Sequence, residues 1–95
     1  MFTTLAEVSI QELPQFLAVF ATKGALMRRK HGSRGAEAFG VGDDPARAYV
    51  LIDWESKEAF ERFRADPDVP GTMKSGGMTA PPKFTPLVRV AAFPH

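Results

Sequence analysis

A chain of 95 residues is long enough for one compact domain and too short for two, so residues 1–95 are expected to form a single domain. Hydrophobic residues make up 44% of the chain and charged residues 24%, which excludes a disordered, fibrous or membrane-spanning protein. The formal net charge of +1 gives no electrostatic reason to expect nucleic acid or an anionic membrane as a partner.

The first predicted elements are a strand and a helix. Residues 2–10 fit a period of two, which predicts a strand. Ser9 and Glu12 have the S-x-x-E spacing of a capping box, which predicts that a helix begins here. The apolar stripe of that helix has spacings of three and four and consists of Leu13, Phe16, Leu17, Phe20, Gly24 and Met27. Gly24 weakens the helix, so a kink or break is expected near it, and Gly32 is expected to end it.

A pair of strands and a second helix follow. Residues 35–42 and 47–54 predict two strands, and the turn residues 42–45 between them predict a hairpin. Ser56 is expected to cap a helix that ends at residues 66–67, because the residue before proline avoids the helical conformation.

The remaining sequence predicts a long connection and a fourth strand. Residues 67–84 contain four prolines and three glycines, and connections of this length in compact domains are usually functional or disordered. Residues 70–75 predict one helical turn, and residues 85–93 alternate like a strand. The order is β-α-β-β-α-β, which predicts a ferredoxin-like α+β fold with a four-stranded antiparallel sheet.

The two faces of this sheet are both expected to be buried. Right-handed crossovers place both helices on one face, and a wet opposite face would be polar. That opposite face instead carries Leu5, Phe39, Val41, Tyr49, Leu51, Leu87, Ala91 and Phe93. The pattern predicts a homodimer that packs sheet against sheet. Glu7 and Arg89 are expected to pair across the first and last strands, with the alternative that such charges lie at strand ends in water.

Residues 47–63 carry a resemblance to a known family. An apolar strand ends in Trp54 and passes directly into a helix with an E-x-F-x-x-F-like pattern. This arrangement resembles the dimeric α/β-barrel superfamily, and within it the antibiotic biosynthesis monooxygenase-like proteins. The resemblance implies two ferredoxin-like subunits joined through their sheets, each with a ligand cavity between sheet and helices.

Members of that superfamily include cofactorless oxygenases of aromatic substrates, haem-degrading enzymes, isomerases, cyclases and proteins with no known activity, so the fold does not settle the function. The oxygenase and haem-degrading branches usually use an Asn near the first strand together with a Trp. Trp54 stands in the expected place, whereas the sequence contains no Asn.

Two residues are candidates for catalysis. Trp54, on the helix-facing side of a strand end, is expected to stack on a planar ligand or to donate its N–H, with core packing as the alternative. His31 is the only group away from the termini that ordinarily titrates near neutrality, and it would act as acid or base if residues 67–84 close over it. The alternative is a solvated imidazole at a helix end.

An adaptable apolar pocket under residues 67–84 is the expected ligand site. Its predicted ligand-binding residues are Phe20, Met27, Met73, Met78 and Phe84. Phe20 and Met27 have plain core packing as their alternative. The sequence holds no cysteine and no metal-ligand or phosphate-binding spacing, so neither a metal nor a cofactor is expected.

The sequence therefore predicts a small-molecule enzyme acting on an apolar or aromatic substrate: a cofactor-independent monooxygenase, an isomerase or a cyclase. The alternative is a non-catalytic ligand-binding or interaction module of the same fold. Nucleic acid is not an expected partner, because acidic side chains on the free sheet face would repel phosphates. A membrane is not expected either, since there is no signal-like start and no apolar run of membrane-spanning length, and a cytoplasmic location is expected.

Overall fold

The computed structural model describes all residues from Met1 to His95. In chain order the elements are β1 (Phe2–Ser9), α1 (Leu13–Ala21), α2 (Lys23–Lys30), β2 (Ser33–Val41), β3 (Asp44–Trp54), α3 (Lys57–Ala65), α4 (Val69–Ser75) and β4 (Lys83–Leu87). The strands pair antiparallel in one sheet with the order β2-β3-β1-β4. The predicted ferredoxin-like α+β fold is confirmed. None of the four helices combines the length and apolar character that a membrane span requires.

The first predicted helix is broken into α1 and α2. Thr22 separates them, with φ −114° and ψ −91°, and its hydroxyl donates to the carbonyl of Ala18 over 2.8 Å. The break lies two residues before Gly24, as the weak helix propensity of glycine predicted.

The predicted capping box is wrong. The residue before α1 is Glu12, which has an extended backbone and makes no side-chain capping bond. Ser9 instead ends β1, where its carbonyl accepts a hydrogen bond of 2.9 Å from the amide of Thr79. Ser9 is therefore part of the strand and lies three residues before Glu12, the position that precedes α1.

Two other helix boundaries agree with the sequence. Ser56 caps α3, since its hydroxyl accepts from the amide of Ala59 over 3.1 Å. Gly32 follows the end of α2 with φ +85°, a conformation that favours glycine. A Cβ atom at Gly32 would lie 2.9 Å from the Glu55 side chain, so this turn brings the end of α2 close to the end of β3.

The fourth strand begins and ends earlier than predicted. It spans Lys83–Leu87, and the residues after Leu87 form no regular structure. Its pairing with β1 reaches Leu87 opposite Thr3, and β1 itself begins only one residue before, at Phe2. The alternating pattern of residues 88–93 therefore has no partner backbone within the chain, and Val88, Val90 and Phe93 are more than 80% exposed.

The core lies between the sheet and the helices. It consists of Ala6, Val8, Ile10, Phe16, Ala48, Val50, Ile52, Trp54, Ala59, Phe60, Phe63 and Val69. The opposite sheet face has no cover. There Leu5, Tyr49 and Leu51 are only half-buried, and Phe39 is exposed.

The predicted ion pair between Glu7 and Arg89 is wrong. Glu7 pairs instead with Arg47, at 2.6 Å between Oε1 and Nη2, across β1 and β3 on the open sheet face. Arg89 lies beyond the end of β4, so the shortened strand carries it past any position opposite Glu7.

Candidate functional site

A cavity of about 70 Å³ lies between the sheet and the helices. Val8 and Val50 of β1 and β3 contribute to its sheet side, and residues of α1, α2 and α4 line its helix side. Thirteen of its eighteen lining residues are hydrophobic. Such a lining favours an apolar ligand. A polar ligand would lose its hydrogen bonds to water and find few partners in the wall, whereas an apolar one loses none.

All five predicted ligand-binding residues lie in the wall of this cavity: Phe20, Met27, Met73, Met78 and Phe84. They come from α1, α2, α4, the following turn and β4, so residues distant in sequence meet at one place. The segment 67–84 contributes several of the lining residues, as the sequence predicted. Their part in binding a ligand stays a prediction.

Arg28 is the one charged side chain in the cavity wall. Its Nη1 donates to the carbonyl of Phe20 over 2.9 Å, and its Cζ lies 3.7 Å from the centre of the Phe20 ring. That carbonyl is in the last turn of α1, where helix geometry leaves it without a partner, so Arg28 caps α1 from α2. Partial burial lowers the pKa of Arg28, because desolvation disfavours its charge.

Gly24 provides the space that Arg28 occupies. A Cβ atom at Gly24 would lie 3.1 Å from Arg28 Nη1 and 3.1 Å from the carbonyl oxygen of Val19. The absent side chain lets the guanidinium fold back along α2 towards α1. Arg28 is not among the predicted site residues, because it stands in a run of basic residues that is typical of a solvated helix end. The glycine four residues before it was the available signal.

Trp54 does not line the cavity. It is fully buried, its Nε1–H donates to Thr4 Oγ1 over 3.0 Å, and its ring packs against Phe60 and Phe63 with centroid distances of 5.7 and 4.9 Å. Phe63 does line the cavity, so Trp54 reaches the site only through that neighbour. The core packing named as the alternative is what the structure shows for Trp54, and its part in binding a ligand stays a prediction.

His31 also lies outside the cavity lining. Its Nε2 is 2.7 Å from Asp66 Oδ2, and its ring meets Phe63 edge-on at 6.3 Å between centroids. The hydrogen bond with His31 is the main cause that lowers the pKa of Asp66 to about 2, and the amide of Asp68 and the ammonium of Lys30 act in the same direction. The imidazole is thus held at the junction of α2 and α3.

The fold matches that of solved monooxygenase structures. SnoaB, a cofactor-independent oxygenase from Streptomyces nogalater, is 18% identical with a TM-score of 0.76 over 99% of this chain and 97% of SnoaB. A Bordetella bronchiseptica protein provisionally assigned as an antibiotic biosynthesis monooxygenase is 22% identical, with a TM-score of 0.76 over 95% and 97% of the two chains.

A third similar structure contains a ligand. The monooxygenase ActVA-Orf6 of Streptomyces coelicolor, in complex with nanaomycin D, is 18% identical with a TM-score of 0.68 over 99% of this chain and 92% of that protein. No protein-family model matches the present sequence, and no curated protein matches it. The chain has the fold of the antibiotic biosynthesis monooxygenase-like proteins, which confirms the resemblance at the level of fold.

Proposed function

We propose that this protein is a cofactor-independent monooxygenase that oxidises a small apolar or aromatic substrate held between its sheet and helices. The observation that carries the proposal is the apolar cavity in a fold that SnoaB and ActVA-Orf6 share. A passive ligand-binding module of the same fold would need the same cavity, so turnover is the property that separates the two.

The chemistry of such an enzyme places simple demands on the protein. Without a redox cofactor, the substrate itself supplies all four electrons that reduce O₂: a CH₂ group becomes C=O, one oxygen atom stays on that carbon, and the other leaves as water. The reacting form is an electron-rich anion. The site must therefore hold the ring, exclude bulk water and stabilise a negative oxygen.

The apolar residues of the cavity wall would hold the substrate. Met73 and Met78 have unbranched, flexible side chains that adapt to irregular shapes. That property matters because a ligand of several fused rings needs more than about 70 Å³ and would have to move the wall outwards. Phe20, Met27 and Phe84 complete the proposed ligand contacts.

The proposed catalytic roles of Trp54 and His31 take an indirect form. Trp54 would position the ring through Phe63, which it contacts. His31 would move a proton only after exchanging its bond with Asp66 for one to the substrate. Removal of either side chain is therefore expected to affect turnover less than a blocked cavity.

The homodimer is part of this proposal. The open sheet face carries Leu5 opposite Leu51 at its centre, and residues 88–93 extend beyond β4 with apolar side chains in solvent. Another copy of the chain would cover the open sheet face and could offer backbone partners to residues 88–93. A cytoplasmic location also remains part of the proposal.

Oxygen consumption with a defined substrate tests the function. Anthrone is suitable, because oxidation of its central CH₂ to C=O consumes one O₂ and releases one water. The protein is expected to consume O₂ and form the quinone, and Met73→Trp should abolish this by filling the cavity. The matched control is Leu26→Trp, which lies on α2 but outside the cavity and is exposed.

Binding of nanaomycin D supplies the second readout. Binding without oxidation of anthrone or of related hydroxylated ring systems would support the passive module instead. Absence of both binding and oxidation would contradict the proposal.

A further inference from the structure

Arg28 is a charge without a counter-ion. The cations of the five salt bridges in the structure are Lys30, His31, Arg34, Arg47 and Lys57. Arg28 is absent from this set, so no carboxylate lies within 4.0 Å of it. It is half-buried and lines an apolar cavity, whereas the paired Arg34 is exposed and the paired Arg47 lies on the open sheet face beside Glu7.

The structural work that Arg28 performs does not explain a guanidinium at this place. Its one hydrogen bond, to the Phe20 carbonyl, uses one of the five N–H donors of the group. Partial burial of the charge costs free energy, which the lowered pKa of Arg28 also reflects. That carbonyl needs only one N–H donor, and the bond does not require the donor to carry a charge.

The surroundings of Arg28 combine charge with an aromatic surface. Its Cζ lies 3.7 Å from the Phe20 ring centre, and Phe20 stacks on Phe16 with centroids 5.6 Å apart. Met27, beside Arg28 in the chain, lines the same cavity. A flat apolar ring can lie here while an oxygen attached to it meets the guanidinium, which binds such oxygens in its own plane.

We propose that the cavity selects aromatic ligands that carry an ionised oxygen, a carboxylate or a phenolate, and that Arg28 pairs with that oxygen. The inference rests on the proposed function, in that it takes the cavity to be the ligand site. Under this proposal, Arg28 is the residue that makes the cavity prefer an anionic ligand to a neutral one.

The proposal also accounts for the lack of a base in the cavity. The only polar side chains in its wall are those of Arg28 and Thr72, and neither removes a proton at neutral pH. A ligand that binds as an oxyanion needs no proton acceptor in the site.

Paired one-ring ligands test this assignment with the intact protein. Benzoate is compared with benzyl alcohol, and 4-nitrophenolate with nitrobenzene, by following backbone amide signals in NMR titrations. One ring demands the smallest movement of the wall. The anion of each pair is expected to bind about tenfold tighter or more, the effect of a charge-assisted hydrogen bond in a partly desolvated site.

Variants then locate the origin of the preference. Arg28→Met should reduce it to about twofold or less, and Arg28→Lys should keep part of it. Arg29→Met is the matched control, because Arg29 is the exposed neighbour on the same helix and makes no salt bridge, and it should keep the full preference. The comparison of anion and neutral ligand in the unmodified protein needs no variant to fold.

The outcomes separate two failures. If both members of each pair bind the unmodified protein equally well, or if Arg28→Met keeps the preference, the role of Arg28 is overturned and the cavity remains a ligand site. If none of the four ligands shifts signals of cavity residues, the ligand site itself is overturned, and the proposed function with it.

Discussion

Trp54 donates its Nε1–H to the hydroxyl of Thr4 over 3.0 Å in a part of the core where neither side chain is accessible to solvent. The bond joins β3 to its neighbour β1. It gives the one polar atom of the indole a partner while the ring packs on Phe60 and Phe63. This pairing explains why Trp54 is a structural centre of the molecule and lies outside the cavity wall.

Thr4→Val tests the cost of removing that partner. The variant keeps the shape of the side chain and leaves a buried N–H unpaired, so the free energy of unfolding should fall by about 1–3 kcal/mol. Urea unfolding followed by the fluorescence of the single tryptophan measures this directly. Thr85→Val on the exposed edge strand is the control and should change stability little; an equal loss in both variants would contradict the assignment.

The Asp66 carboxylate makes the protein sensitive to acid. Its pKa is about 2 in the folded protein and 3.8 ordinarily, so its contribution to stability is complete above the ordinary pKa and is lost as the pH falls towards about 2. Asp66→Asn should therefore be less stable than the unmodified protein at neutral pH, and the difference should shrink at about pH 2.

Urea unfolding of both proteins across this pH range gives that difference. Asp43→Asn is the control, since Asp43 lies in the exposed β2–β3 turn and makes no salt bridge. A stability difference between Asp66→Asn and the unmodified protein that stays constant from neutral to strongly acidic pH would rule out this role of the carboxylate.

Two glycines in helices should respond differently to alanine. Gly71 lies in α4 with open space around its Cα, so Gly71→Ala should stabilise the protein by up to about 1 kcal/mol through helix propensity. Gly24→Ala should lack that gain or destabilise, because the new methyl group meets Arg28 Nη1 and the Val19 carbonyl at 3.1 Å. The melting temperatures of the two variants measure this difference. Equal stabilisation by both would show that the Arg28 side chain moves aside freely and that Gly24 is not needed to make room for it.

The open sheet face should control association. The unmodified protein is expected to sediment as a dimer, and Leu51→Glu should produce monomers because it puts a charge beside Leu5 at the centre of the face. Leu26→Glu changes an exposed residue on the helix side and should leave the dimer intact. Sedimentation velocity over a range of concentrations distinguishes these results; a monomeric unmodified protein at high micromolar concentration would refute the dimer.

Much of the fold follows from local pattern. The period of two in β1 and β3, the cap at Ser56 and the weak point near Gly24 each depend on a few neighbouring residues, and each is found in the structure. The cavity residues could also be predicted from the sequence, because apolar side chains that face one long connection have few other places to lie. Those predictions needed no knowledge of distant contacts beyond the order of the elements.

Other features depend on partners that the local sequence does not contain. Residues 88–93 alternate as well as any strand, yet a strand forms only where a second backbone offers its N–H and C=O groups. The pairing with β1 has already reached Thr3 at Leu87, and β1 begins at Phe2, so almost no backbone of β1 remains for these residues. Glu7 likewise pairs with Arg47, and not with Arg89, because the register of β1 and β3 places Glu7 and Arg47 next to each other.

By itself, the sequence determined the type and order of the helices and strands and most of the side chains that form the core, since these depend on local backbone geometry and on polarity. Only the tertiary structure decided what those side chains meet. The indole N–H of Trp54 donates to Thr4, and the imidazole of His31 bonds to Asp66. Arg28 lies in the cavity wall without a carboxylate partner. The surroundings of a charge or an N–H come from elements far apart in the chain, and those surroundings set its chemistry.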